Sequence, residues 1–479
     1  MRPKLSFLDK DLIVKIVDDA YKTLETQGID LHHDLLRDKL AGLGCRVDSK
    51  TKKVWIKADL VKKCIASCPR EVKLWNIAGT AYKGLGGDAV HFTPGSTAIK
   101  ILEAGTSKIR LSKIADVLRL CKLVEGLEYI DYSSSALVPY DVPEKIGDSI
   151  RLYALLKLTT KPIVTGAFSI AGFDVMTDLQ LAVRGTREAL KAKPFALFSA
   201  CPTSPLKWSD VTSDNTMKCA ELGIPVEFIS MPLAGLVAPV TMVGSLVQHT
   251  AETLSGVVIS QISCPGAPIL YGGSPATFDM QTMSARIASL ETQITDCAYA
   301  EIGKYLGLPT QAYISLSDSR DLDAQAGFES GTGAYLAALT GINSISGPGM
   351  LYFESCLSLE KLAFDNEICG MAQRLIKAIE PMDDLPAGPL FDELLRDRNL
   401  LAADHTLSNF RKVHYLAGPT FVRGQIDDNT LIPALTSRAK DQVDALVAAH
   451  KMPTVLSNDQ NKELEKVMKR AAGDYKIGF

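Results

Sequence analysis

Five short apolar runs in this chain begin at or beside a proline: PIVTGAFS at Pro162, PFALFSACP at Pro194, PVEFISMP at Pro225, PILYGGSP at Pro268 and PTQAYISLSD at Pro309. Proline has no N–H for a sheet ladder, so it is tolerated at the first residue of a strand and kept out of its middle. Each run therefore reads as a strand with its start marked. Helical patterns fill the intervals, at 147–157, 212–222, 241–262 and 283–305. Strands that alternate with helices lie parallel, because each helix carries the chain back to the end where the strand began. Three further runs, VHFTPGS near 90, LEYIDYSSSALV near 128 and INSIS near 342, bring the count to eight. The expectation is an α/β fold, a (β/α)8 TIM barrel. A doubly wound open sheet is the alternative, but the chain lacks a glycine-rich dinucleotide turn after its first strand. GLGGDAV, at Gly84, precedes a strand instead of opening a helix and reads as a turn.

The 479 residues leave room for more than the ~250 that a barrel takes. Residues 1–86 read as an N-terminal helical cap with a short hairpin at CRVDSKTKKVWI, and 87–380 as the barrel. After the linker DDLPAGP, 381–479 reads as an α-rich C-terminal extension with GPTFVRGQ as a candidate strand pair. ILEAGTSKIRL reads as a hairpin inserted before helix 112–127. The last charged helix, NKELEKVMKRAA, is expected to be a solvated face or an oligomer contact.

Composition removes several classes. The net charge is −3 and no long basic tract occurs, so nucleic acid is not an expected partner. No uninterrupted apolar run approaches the ~18 residues of a membrane span, and MRPKLSFLDKDL lacks a signal-peptide core, so a soluble, cytoplasmic protein is expected. The ten cysteines are scattered, mostly in apolar helical text, as buried small hydrophobes are. Cys64 and Cys68 are close but have no matching histidine, so no metal held by protein side chains is expected.

In such a barrel the site is built at the C-terminal ends of the strands. Here these are 92–97, 133–135, 165–169, 199–203, 230–233, 272–278, 315–320 and 346–352. No lysine stands there for Schiff-base chemistry, since Lys161 and Lys193 precede strands and fall at the opposite face. No obvious pair of carboxylates and no histidine past a strand end supports acid–base work, because His91 starts its strand and His249 is mid-helix. What remains is hydroxyls, glycines, a few acids, one arginine (Arg320) and the aromatics Phe92, Phe168, Trp208, Tyr271, Phe278, Tyr352 and Phe353. Aromatic faces attract cations, above all quaternary ammonium groups, and arginine forks onto carboxylates. The combination suits a betaine. The plainer alternative makes the aromatics core and pairs Arg320 with Asp318 or Asp323.

Within 247–366 the text resembles the trimethylamine methyltransferase family of corrinoid-dependent enzymes. It does so at VQHTAETLSGVV, at SCPGAPILYGGSPATFDM from Ser263, at SDSRDLDAQAGFES from Ser317, and at GINSISGPGMLYFESCLSLEKLAFDNEI from Gly341. The resemblance implies a barrel with an N-terminal cap, a homo-oligomer, and methyl transfer from nitrogen to Co(I) of a cognate corrinoid protein, with no cofactor bound permanently. The founding trimethylamine enzymes carry a pyrrolysine, and this chain has none. Members without it are similar to glycine betaine and other quaternary-amine methyltransferases. A quaternary ammonium releases a neutral amine without needing a proton, which matches a site poor in general acids. On this reading Arg320 takes the substrate carboxylate, and Phe278, Tyr271 and Phe353 cage the ammonium. Glu227, Asp279, Glu329 and Gln325 are further candidates, and Glu252 beside His249 is a buried structural pair or a catalytic one. A non-catalytic betaine-binding protein and a zinc-dependent corrinoid methyltransferase using Cys201 are the alternatives.

Overall fold

The computed structural model describes residues 2–95, 97–382, 384–424, 427 and 430–475. Eight βα units follow one another. The strands are β1 (His91–Thr93), β2 (Ser133–Ser134), β3 (Ile163–Thr165), β4 (Ala196–Ala200), β5 (Val226–Ser230), β6 (Ile269–Gly273), β7 (Gln311–Ala312) and β8 (Ser344–Ser346). Behind each comes its helix: α1 (Ile114–Gly126), α2 (Glu144–Leu158), α3 (Ile170–Arg184), α4 (Asp210–Leu222), α5 (Met242–Ser263), α6 (Leu290–Tyr305), α7 (Ala324–Thr340) and α8 (Leu359–Leu375). The prolines behave as their chemistry requires. The carbonyls of Pro162, Pro225, Pro268 and Pro309 accept ladder hydrogen bonds from Ser133, Phe198, Val226 and Tyr271, while no ladder donor is asked of the prolines.

All neighbouring strands in this set are parallel, but they pair as two sheets, β6-β5-β4-β3-β2 and β7-β8-β1. The expected ring is therefore not one continuous ladder. Isolated contacts span the gaps: Tyr271 bridges Thr310 and the Tyr313 N–H donates to Gly273 O at 3.3 Å between β6 and β7, and the Asp131 and Tyr132 N–H groups donate to Phe92 O at 2.8 and 3.4 Å between β1 and β2. The reason is length, since β2 and β7 have only two residues each and run out of ladder before a full pairing forms.

One end of this array is plugged. The hairpin Glu71–Trp75/Tyr82–Gly86 sends Val72, Leu74 and Leu85 into a separate apolar cluster with Tyr132, Val164, Leu197 and Leu270. Gly84 and Gly86 thus lie in a strand rather than in a turn; a Cβ at Gly86 would sit 2.7 Å from Arg70 O, so close pairing excludes a side chain there. At the same end Lys161 donates to the carbonyls of Val124, Leu127 and Ile130 at 2.6–2.7 Å, satisfying the C-terminus of α1.

Every residue of helix α5 from His249 to Gln261 is buried, the polar ones included. That burial requires cover on both sides. The strands supply one side, and the helices Lys10–Thr26 and Ala58–Ser67 supply the other with Ile16, Ala20, Leu24, Val61 and Ile65. The last helix, Asn458–Ala472, packs against α3 and buries Leu464, Val467 and Met468. Its apolar residues recur at i, i+3 and i+4 and form the packed stripe, while Lys462, Glu463, Glu465, Lys466, Lys469 and Arg470 stay exposed on the expected solvated face. Residues 418–424 contain no strand, and the Gln425 that ends the expected pair lies outside the described residues.

Candidate active site

Two insertions build the rim opposite the plug. After β1, Lys100–Leu102 and Ile109–Leu111 form the expected hairpin, and Lys100–Leu102 pairs in parallel with Cys356–Leu357. Cys356–Leu357 returns antiparallel to Met350–Leu351, so residues 352–355 are the tip of a hairpin following β8. Tyr352, Phe353 and Glu354 have φ of +49°, +56° and +60°. Three successive non-glycine residues in the left-handed region cost of order 1–3 kcal/mol each, and such strain persists only where the surroundings impose it. Ser319 O accepts from the Tyr352 N–H at 2.8 Å, and Ser355 O accepts from the Lys100 N–H at 3.1 Å, which clamps the tip to both neighbours.

Beneath this tip lies a cavity of about 210 Å³ at the C-terminal ends of the strands. Its wall includes Thr97, Ser135, Thr165, Phe168, Ser199, Cys201, Ile229, Met231, Tyr313 and Glu354. Most of these fall inside the strand-end segments read from the sequence. Hydroxyls dominate its polar side, and among the described lining residues there is no lysine, arginine or histidine. Arg151 stands behind the wall with its guanidinium 5.1 Å from the Phe168 ring centroid, but it is neutralised by Asp148 at 2.8 Å and donates to Ser135 O.

Two carboxyl groups reach this region, Glu354 in the cavity lining and Glu227 behind it through the lining residue Ser199, where the sequence shows no obvious facing pair. Glu227 on β5 is fully buried; Ser199 donates to its Oε1 at 2.7 Å and its Oε2 has no partner among the described residues. Burial pushes it up to about 7, the Ser199 bond offsetting only part. Glu354 Oε1 is likewise buried without a partner, and burial, with Asp318 adding, pushes that carboxyl up to about 8. Low polarity around Cys201, then Glu227 and Glu354, push its thiol up to about 12, so it remains protonated.

The other sequence candidates separate. Tyr271 is turned away from the cavity: it is in register with Phe228, whereas Glu227 is in register with Leu270, and successive residues of a strand face opposite sides. Its hydroxyl donates to Thr250 of α5 at 2.9 Å and its ring lies so near Gly303 of α6 that a Cβ there would meet it at 2.9 Å. Phe278 and Asp279 lie on the hairpin Ala276–Asp279/Ser284–Arg286 beyond β6. Bonds from Thr282, the Gln281 N–H and Arg286 hold Asp279 down to about 2, so it fastens that turn. Glu329 accepts from Ser317 Oγ at 2.6 Å, the Asp318 N–H at 2.9 Å and Gln325 at 3.0 Å, so Gln325 and Glu329 tie α7 to the end of β7. Asp318, pushed up to about 6 by burial despite the Ala288 and Ile287 N–H groups and with Glu329 nearby, ties that segment to α6. Phe353 stays at the strained tip, tilted against Tyr352 at 5.3 Å.

Arg320 is exposed at the rim. It forms no ion pair with Asp318 or Asp323; its guanidinium lies 4.9 Å from the Tyr352 ring centroid, and the Lys100 ammonium lies 5.2 Å from the same centroid. Glu252 is structural: it accepts from Ser204, Ser230, Gln248 and the Leu206 N–H, and does not pair with His249. Sequence reasoning gave Glu354 no role. Its signal is faint, a single acid inside apolar text (LYFESC) two residues past the expected strand end. No group of three or more His, Cys, Asp or Glu among the described residues is placed to hold a metal ion.

The fold and the cavity together define an α/β protein with a small, acid-bearing pocket at its strand ends. The family model described as trimethylamine methyltransferase matches residues 1–476, and the chain belongs to that family. It is 30% identical over 460 residues to a trimethylamine methyltransferase of Methanosarcina thermophila, covering 93% of this chain and 92% of that one. It is 28% identical over 415 residues to a glycine betaine methyltransferase of Desulfitobacterium hafniense (strain Y51), covering 86% of each. Its fold is similar to the crystal structure of the Methanosarcina barkeri monomethylamine methyltransferase, with a TM-score of 0.52 at 9% identity over 98% of this chain and 88% of that chain. It is therefore a methyltransferase by family. No helix of the described residues is long and apolar enough to cross a membrane.

Proposed function

We propose that the eight strands work as one (β/α)8 barrel and that the protein removes a methyl group from a quaternary, betaine-type amine such as glycine betaine, proline betaine or carnitine. The observation that carries this reading is the cavity itself: hydroxyls, aromatic faces and the Glu354 carboxyl, with no cationic side chain in its described lining. Such a lining accepts an ammonium group and repels nothing on it. Arg320 and Lys100 flank the rim on the Tyr352 ring, so a zwitterion can place its nitrogen inside and its carboxylate at the edge.

The methyl acceptor is the cobalt of a reduced corrinoid carried by a partner protein, which supplies a strong nucleophile. A cavity of about 210 Å³ is too small to bury a corrin ring, so the residues present fit an acceptor offered from outside. This chain's part is to hold the N–CH3 bond in line and to exclude water. The departing amine is neutral and needs no proton, so the step asks for no general acid. A cytoplasmic homo-oligomer acting with a cognate corrinoid protein completes the reading.

The test supplies Co(I) corrinoid on its cognate protein and follows loss of the Co(I) absorbance with a panel of betaines and with trimethylamine. Consumption with a betaine and not with trimethylamine is expected. Consumption with trimethylamine alone overturns the quaternary assignment, and silence with every compound in the presence of the partner overturns the enzymatic one.

A further inference from the structure

We propose that the Glu354 carboxyl receives the cationic nitrogen of the substrate and is the residue that selects cations over neutral molecules of the same shape. This rests on the reading of the cavity as an amine site and names the side chain that makes it one.

Four independent features converge on Glu354. Its side chain lines the cavity, and its buried Oε1 meets no donor among the described residues. Buried polar atoms are usually paired, so an acceptor left open in a cavity wall is available to a ligand's cation. The backbone delivering it is held in the left-handed region for three residues and clamped at both ends, to Ser319 and to Lys100. Finally, Glu354 is the one carboxyl of the described lining, and no lysine, arginine or histidine there competes for it.

The groups that act on Glu354 are acidic: Asp318 after β7, the Cys201 thiol after β4 and Asp296 on α6, with Lys100 and Arg320 only at the rim. With its carboxyl pushed up to about 8, Glu354 holds a proton in the empty cavity at neutral pH. A quaternary cation cannot donate a hydrogen bond and pairs only with the ionised form. Binding therefore expels close to one proton and tightens as pH rises towards 8. The ion pair is strongest before the methyl leaves, since the nitrogen loses its charge in the reaction. Glu354 thus acts on KM more than on kcat.

Tetramethylammonium and 2,2-dimethylpropan-1-ol, a neutral alcohol with a quaternary carbon of similar bulk, are titrated calorimetrically into the full-length protein and into Glu354→Gln, in two buffers of different ionisation heat at pH 7. Tetramethylammonium is expected to bind the variant about tenfold more weakly and without proton release, while the alcohol binds both proteins alike. Glu227→Gln is expected to keep the proton release. Glu354→Asp, which keeps the charge, is expected to retain it also, and guards against a Gln variant that fails to fold. Unchanged tetramethylammonium binding and proton release in Glu354→Gln, or loss of proton release in a folded Glu354→Asp, overturns this inference and leaves the functional reading standing. Failure of the unmodified protein to bind tetramethylammonium overturns both.

Discussion

Ser199 on β4 donates a 2.7 Å hydrogen bond to one oxygen of Glu227 on β5, and the other oxygen of that buried carboxyl meets no donor among the described residues. The two residues are in register, so they share the inner face of the sheet. One hydroxyl does not repay the loss of water around an ionised carboxylate, and the group stays protonated to about pH 7.

Glu227 therefore links stability to pH. Its folded value lies above the ordinary value of 4.5, so the stability it contributes is complete below pH 4.5 and is lost as pH rises through about 7. Glu227→Gln should raise the denaturant midpoint at pH 8, by roughly 1–3 kcal/mol of stability, and change little at pH 5. A variant with the same pH dependence as the parent would sink the assignment.

His249 works in the opposite sense. It is fully buried, stacked on Tyr299 at 4.2 Å and bonded through Nε2 to Gly272 O at 3.1 Å, and burial pushes it down to about 3. It stays neutral in the fold while the unfolded chain takes up a proton below the ordinary 6.5. Stability falls as pH drops from 6.5 towards 3, by up to about 1.4 kcal/mol per pH unit from this group. Urea midpoints measured at pH 6.5, 5.5 and 4.5 should decline less steeply in His249→Gln.

Lys361 and Asp365 form an ion pair on α8 that is wholly out of solvent, with Lys361 also donating to Ser330 Oγ at 2.6 Å and Asp365 accepting from the Gly349 N–H at 2.7 Å. Asp365→Ala strands a buried ammonium and frees the glycine loop before the strained tip. A loss of about 3–5 kcal/mol is expected by chemical denaturation. The double change Lys361→Met with Asp365→Leu should recover part of it; no recovery would show that the Gly349 bond, rather than the charge pair, carries the cost.

Arg320 makes a claim about substrate class. Its guanidinium rests on Tyr352 and has neither Asp318 nor Asp323 to neutralise it. Arg320→Ala should raise KM for carboxylate-bearing betaines by about tenfold to a hundredfold and leave a quaternary amine without a carboxylate nearly unaffected. Equal losses on both would make Arg320 a structural support of the Tyr352 ring instead.

Much of the scaffold was legible because its signals are local. A proline that cannot donate marked the starts of β3, β4, β5 and β6 and, at Pro309, the approach to β7. Helix α5 was visible in a long apolar run, and Met242–Ser263 falls within a residue of the expected span. The strand ends also pointed to the region of the cavity, since Ser135, Thr165, Ser199 and Cys201 all lie within the segments named. The hairpin that plugs the other end was missed, because glycines in a strand look like a turn until the close pairing that requires them is seen.

By itself, the sequence determined the family, the order of the βα units and the end of the sheet at which the cavity lies, because periodicity, proline and motif text are read along the chain. Tertiary structure decided which polar residues meet. Tyr271 and Glu227 both sit in apolar strand text, yet strand alternation and register turn one to the helices and the other to Ser199 of the cavity wall. Glu354 reaches the same space only because a clamped, left-handed tip folds it back over the strand ends. Side-chain direction and desolvation depend on neighbours far along the chain, and no local pattern encodes them.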